Sequence, residues 1–223
     1  MLLWEKKAFL DGASLIIGLD EAGRGPLAGP VVAGAVTLRQ SPLKKFILPH
    51  FKERVDDSKK LVSTKREKAF LEISRKAFYA IGTKDHKFID TENIQKATIS
   101  AMQDAVKKLV KKYCSFNNKK EMDIKRDVCV LVDGNIDLTL PYRTIKIIKG
   151  DAKSLSIAAA SIVAKVSRDK MMLSYDRRFP LYGFSKHKGY GTRLHLEAIQ
   201  QYGPCPIHRR SFAQIRKDDV CKA

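Results

Sequence analysis

Apolar residues fall in short blocks along this chain, and the blocks carry two different periods. Residues 14–20 form a run too short and too continuous for an amphipathic helix, and read as a buried strand. Val31-Val32-Ala33-Gly34-Ala35-Val36-Thr37-Leu38 reads as a second strand, residues 77–83 as a third, Asp127–Gly134 as the clearest buried strand, and residues 143–148 as a fifth. Between them the period changes to that of a helix. A helical stretch runs to Lys76, with Ser63 as N-cap and Glu67 near the capping-box position. Residues 90–112 place Ile94, Ala97, Ala101, Met102, Ala105 and Leu109 on one stripe, which is core packing. Residues 152–178 and 193–202 predict two more helices, and residues 39–57 and 115–126 two loops. Adjacent early strands favour hairpin pairing, and helices between later strands favour crossovers. The expectation is an α/β fold, a mixed sheet flanked by helices, with one body over residues 1–182. Residues 183–223 would form a short C-terminal helical extension packed on that body.

Composition adds a partner class. The chain has 223 residues, 44% hydrophobic and 30% charged, ordinary for a protein with a proper core. Its 43 Lys and Arg against 24 Asp and Glu give a formal charge of +19, which favours a polyanion because basic side chains release counterions from phosphates. No apolar run is long enough for a membrane helix, and the N-terminus lacks the order of a signal peptide. Cys114, Cys129, Cys205 and Cys221 are too scattered for a metal knuckle or redox pair. A reduced, cytoplasmic protein with no membrane partner is expected, acting as a monomer.

Candidate chemistry begins where the first strand ends, at Gly18-Leu19-Asp20-Glu21-Ala22-Gly23-Arg24-Gly25. Adjacent strand residues point to opposite faces, so Asp20 and Glu21 share a site only where the strand ends or bulges. Asp133 closes the strand before Gly134, at the carboxyl edge where α/β folds place ligands. Asp151 precedes the long helix, a natural N-cap position, and follows the adjacent strand. Gathered at one edge, Asp20, Glu21, Asp133 and Asp151 would repel one another unless cations bound them. Oxygen-only ligands suit Mg²⁺ or Mn²⁺ better than Zn²⁺. Two such ions about 3.5–4 Å apart activate water and stabilise a leaving alkoxide in phosphodiester cleavage, so the set reads as a nuclease.

These segments, with Asp57-Ser58-Lys59-Lys60-Leu61, Val132-Asp133-Gly134-Asn135 and Lys149-Gly150-Asp151-Ala152-Lys153-Ser154, resemble the successive motifs of bacterial ribonuclease HII. Residues 158–169, His187-Lys188-Gly189-Tyr190-Gly191-Thr192 and His208-Arg209-Arg210-Ser211-Phe212 continue the resemblance in family order, so it covers residues 18–212. It implies a ribonuclease H-like fold with a mixed five-stranded sheet. It also implies endonucleolytic cleavage of RNA in RNA–DNA hybrids and incision 5′ of a ribonucleotide embedded in duplex DNA, giving 3′-hydroxyl and 5′-phosphate ends. By motif match Asp20, Glu21, Asp133 and Asp151 would hold Mn²⁺ or Mg²⁺. Gly23, Arg24 and Gly25 would recognise the 2′-hydroxyl, and Tyr190 would stack at the DNA–RNA junction. Lys59, Lys60 and, at lower rank, Lys165 are candidates for backbone phosphates. An intrahelical pair with Asp169 is set aside on grounds of adjacency, and Asp169 itself is read as structural.

Three rivals are weighed. The related ribonuclease HIII shares the carboxylates but differs in its glycine motif and typically carries an N-terminal binding domain. Only a short segment precedes the first strand here, and Arg24 occupies the centre of the motif. A non-catalytic nucleic-acid binder explains the charge but not acids ending two apolar strands. A P-loop enzyme would need a Gly-Lys-Ser/Thr after the glycines, which is missing.

Overall fold

Five strands pair into one sheet in the order β3-β2-β1-β4-β5: β1 (Leu15–Ala22), β2 (Val31–Thr37), β3 (Phe78–Lys84), β4 (Val128–Asp133) and β5 (Arg143–Ile147). The computed structural model describes residues 1–38, 49–58 and 60–220, the last four of these as backbone only. Most of the loop expected over residues 39–57, Lys59 and Cys221 therefore lie outside the described residues. β1, β2 and β3 pair antiparallel, while β4 and β5 run parallel to β1. Leu19 lies opposite Val132, so the next residues, Asp20 and Asp133, arrive level at one edge.

The helices are α1 (Leu3–Leu10), α2 (Ser63–Lys76), α3 (His86–Glu92), α4 (Ile94–Phe116), α5 (Glu121–Ile124), α6 (Leu155–Arg178), α7 (Phe184–His187), α8 (Arg193–Tyr202) and α9 (Ala213–Val220). Strand alternation sends Leu15, Ile17, Leu19, Val130 and Val132 to the face covered by α4. The opposite face is covered by α1, α2 and α6, through Ile157, Ala159, Ile162 and Val163. Gly18 lies on that second face, and a Cβ there would overlap the carbonyl of Ser156. The missing side chain lets the start of α6 rest directly on β1, two residues before Asp20.

Several expectations are corrected in detail. β1 runs through Asp20 and Glu21, which pair with Gly34 and Ala33, rather than ending at the acids. The helix expected over 90–112 is two helices, broken at Asn93, whose φ is 74° and whose side chain caps α4 by accepting from Lys96 N at 3.0 Å. Ser63 opens α2 instead of capping it, since Val62 is the extended N-cap residue. A short helix, α5, lies in the segment read as a loop. α1 was not foreseen: eight residues are marginal alone, and this helix is held by burying Glu5 and Ala8.

The C-terminal segment has its own apolar cluster, in which Phe184, Ile199, Ile207 and Ile215 pack with Leu27, Ala28 and Met172. Asp90, at the end of α3, accepts hydrogen bonds from the amides of Arg210 and Ser211 at 3.0 and 2.8 Å. No helix among the described residues is long and apolar enough to cross a membrane.

Candidate active site

Asp20, Asp133 and Asp151 each offer a carboxylate oxygen, and the three oxygens lie within 4.8 Å of one another. Three chain segments bring them together. Asp20 comes from β1, Asp133 ends β4, and Asp151 sits in a single 3₁₀ turn, Gly150–Ala152, after β5. That turn corrects the reading of Asp151 as a helix cap. Ser154 caps α6 instead, accepting from Ile157 N at 3.2 Å. One oxygen of Asp133 accepts the Gly150 amide at 2.6 Å, which ties the end of β4 to the turn bearing Asp151. Asp20 likewise accepts its neighbour Glu21's amide at 2.7 Å.

Electrostatics here are unfavourable by construction. Burial first, then the charges of Glu21 and Asp133, hold the Asp20 carboxyl well above the usual carboxylate range, against the pull of the Glu21 amide. Hard anionic oxygens that repel one another fit Mg²⁺ or Mn²⁺, which would neutralise them without nitrogen or sulfur ligands.

Glu21 takes the other face of the strand. It is raised by burial, and Arg24 opposes the rise, with its Nη1 3.3 Å from the Glu21 carboxylate. Glu21 and Arg24 line two neighbouring cavities. One, of about 350 Å³, also takes in Asp20, Asp151, Gly23, Gly25, Lys165 and Tyr190. The other, of about 280 Å³, is lined by Asp133, Asn135 and α4 residues including Gln95 and Thr98. Among the described residues three of the four predicted carboxylates, Asp20, Asp133 and Asp151, form one tight cluster, and Glu21 lies beside it, lining the cavity that Asp20 and Asp151 share.

Tyr190 is 44% exposed at the rim of the larger cavity, and one side of its ring lies over the buried Arg168 guanidinium, 5.9 Å from the centroid. Its backbone is fixed from behind. His195 Nδ1 lies 2.9 Å from the Tyr190 carbonyl, His195 and His208 meet Nε2 to Nε2 at 3.0 Å, and His208 Nδ1 accepts the Cys205 amide at 2.9 Å. For that series to hold, His195 donates to the carbonyl through Nδ1 and His208 donates to His195 through Nε2. Both rings are then neutral, in keeping with burial, which pushes each down to about 4.

The lysines divide. Lys165 lines the cavity and donates to Asp169 at 2.7 Å, so the pair set aside on adjacency does form. The two are four apart on α6, and adjacency applies only to Arg168 and Asp169. Arg66 also reaches Asp169, at 3.8 Å, so this carboxylate ties Lys165 to a second basic side chain. Lys60 is exposed, with its nearest carboxylate Asp56 at 3.9 Å, and does not line the cavity, whereas Ser58 does. Arg168 and Arg209, given no role from the sequence, are buried beneath the Gly23–Pro30 loop. A signal existed for Arg168. It falls on the apolar row Ala160, Ala164, Arg168, Met172 of α6, where a lone cation has to find partners in the interior.

Comparison with known proteins agrees with this geometry. The family model described as Ribonuclease HII matches residues 17–215. Ribonuclease HII of Acetivibrio thermocellus is 49% identical over 216 residues, covering 96% of this chain and 75% of that protein. Ribonuclease HII of Geobacter metallireducens is 48% identical over 220 residues, covering 96% and 92%. Among solved structures, the ribonuclease H2 of Pyrococcus horikoshii superposes with a TM-score of 0.67 at 25% identity, covering 93% of this chain and 98% of that one. With strand order, acidic edge and family match in agreement, the chain belongs to the ribonuclease HII family, and is an endonuclease of the ribonuclease H type acting on RNA–DNA hybrids.

Proposed function

We propose that the chain incises duplex DNA on the 5′ side of single embedded ribonucleotides, as well as cutting hybrids, by two-metal-ion hydrolysis that leaves 3′-hydroxyl and 5′-phosphate ends. The observation that carries this reading is a shared cavity. The carboxylates of Asp20 and Asp151 open into the same space as the Gly23–Gly25 backbone and the exposed ring of Tyr190. Asp20, Asp133 and Asp151 would hold one cation, and Glu21 would lie beside the second. Bound Mg²⁺ or Mn²⁺ supplies activation of water and stabilisation of the leaving 3′ oxygen.

The chain's own residues do the selecting. A 2′-hydroxyl both donates and accepts, so close backbone groups at Gly23, Arg24 and Gly25 can test for it. Tyr190 packs against the neighbouring sugar and favours one without a hydroxyl. Lys165, Lys59 and Lys60 add positive charge for backbone phosphates, in line with the formal charge of +19. We take the working form to be a cytoplasmic monomer.

A duplex carrying one ribonucleotide tests the proposal. It should be nicked 5′ of the ribonucleotide with Mg²⁺ or Mn²⁺ and stay intact with EDTA. Cleavage confined to runs of four or more ribonucleotides would overturn it in favour of a ribonuclease HIII-like preference.

A further inference from the structure

Arg168 and Arg209 lead the fully buried side chains in volume, at 1% and 0% exposure. Neither guanidinium has a carboxylate at ion-pair distance among the described residues. Burying such a cation without compensation is costly, so its donors have to be satisfied otherwise. They are satisfied by carbonyls. Arg209 donates from Nε to Gly29 O at 3.0 Å, from Nη1 to Arg24 O at 2.9 Å and from Nη2 to Gly23 O at 2.6 Å. Arg168 donates from Nε to Pro30 O at 3.0 Å, from Nη2 to Ala28 O at 3.1 Å and from Nη1 to Lys188 O at 3.0 Å. Five of these six acceptors belong to the one loop, Gly23–Pro30.

Peptide geometry then fixes what the loop shows outward. The structure has no cis peptide bonds among the described residues, and in a trans peptide the N–H lies opposite the preceding C=O. Drawing the carbonyls of Gly23 and Arg24 onto Arg209 turns the amides of Arg24 and Gly25 away from it. Among the described residues neither amide has an acceptor in the chain, and both residues line the cavity shared with Asp20 and Asp151. Gly23 permits the arrangement twice over. Its φ is +99°, and a Cβ would overlap the Arg168 side chain.

We infer that Arg209, with Arg168 beside it, is a positioning residue for substrate choice: its planar fork holds two free amides toward an oxygen-bearing ligand, a ribose hydroxyl or its phosphate. The inference rests on the reading of Gly23–Gly25 as a substrate contact. Both guanidiniums stay protonated at neutral pH, although burial pushes Arg168 down to about 10 and Arg209 to about 9. A cation gripping the carbonyls also polarises the peptide units whose N–H groups face out, strengthening them as donors. Lysine cannot reproduce this. A point charge on a flexible stem lacks the fixed fork that spans Gly23 O, Arg24 O and Gly29 O.

The test uses Arg209→Ala and Arg209→Lys in the full chain. Three readouts are taken: kcat/KM on the single-ribonucleotide duplex, Mn²⁺ affinity by titration, and melting temperature. Loss of hydrogen bonds to a charged group predicts a fall in kcat/KM of about 10- to 100-fold in both variants, with Mn²⁺ affinity within about threefold of wild type. Added guanidinium ion should restore part of the rate to Arg209→Ala, and methylammonium should not. A merely structural arginine predicts loss in proportion to unfolded protein and no selective rescue. That result, or Arg209→Lys cutting at the wild-type rate, overturns the inference. Should Arg209→Ala fail to fold, the lysine variant decides through its kcat/KM at unchanged Mn²⁺ affinity. Failure of the wild type to nick the duplex would instead overturn the proposed function.

Discussion

The acidic edge and the glycine loop beside it are stabilised in opposite ways. At the edge, Asp20, Asp133 and Asp151 are crowded to within 4.8 Å, and Asp20 is forced above its ordinary titration range. In the loop, two buried guanidiniums have all their observed bonds on carbonyls, and the backbone is stitched further by Leu27 N to Gly189 O at 2.8 Å and Gly29 N to Ile207 O at 2.9 Å. The first region is poised to be completed by cations; the second has its shape fixed before any ligand arrives, with the Arg24 and Gly25 amides left to meet one. A site that pairs an unsatisfied half with a rigid half can bind metal on demand while keeping its measure of the substrate fixed.

Substitutions can break the two halves separately. The largest effect is expected from Asp133→Asn, which removes a ligand charge while keeping the bond to Gly150. Metal-dependent nicking should fall by about 10³-fold or more, read as kcat, because the lost group serves the reacting centre. Gly23→Ala should come next. It strains a φ of +99° and drives Arg168 out of place, so kcat/KM should fall by roughly 10- to 100-fold while Mn²⁺ affinity is retained. Equal loss of metal binding in Gly23→Ala would show that the two halves are not separable.

How far the sequence foretold these halves depends on the distance over which each is built. The sheet was legible because β1 and β4 are continuous apolar blocks, and the acids were legible because they interrupt such blocks. The order of the five strands and the bounds of α8 followed from period, whereas α1, α5, α7, α9 and the break between α3 and α4 did not. What stayed hidden depends on partners remote in sequence. That Glu21 lies outside the three-oxygen cluster while still lining the cavity beside it follows from β1 continuing past it, as the pairing of Glu21 with Ala33 shows. Arg209 reveals nothing locally, since its acceptors lie 180–186 positions earlier. The Lys165–Asp169 pair could have been read from its spacing of four.

Two smaller effects sharpen the comparison. The His195–His208 pair behind Tyr190 is buried neutral, and His208 is held down by burial first, then by His195, Arg210 and His187. Unfolded histidines bind protons below about pH 6.5, and these do so in the fold only near 4. Stability should therefore fall as pH drops through that window, with a limiting slope of about 1.4 kcal/mol per pH unit for each group. Melting curves between pH 7 and 4.5 should show a shallower slope in His208→Gln. A slope unchanged by the substitution would place the pH sensitivity elsewhere. The smallest expected effect has the opposite sign. Asp20→Asn relieves a buried, repelled charge, so the metal-free protein at pH 7 should melt higher, by about 2–4 °C for each ~1 kcal/mol relieved. The wild type should close the gap when Mn²⁺ is added.

The bonds from Arg209 to Gly23 and Arg24 join residues 186 and 185 positions apart. During synthesis the strands can begin pairing long before residue 209 has left the ribosome, but the loop can take its final shape only afterwards. The loop is thus a late-closing element in an early-pairing sheet: its shape waits on a residue made long after the strands it adjoins.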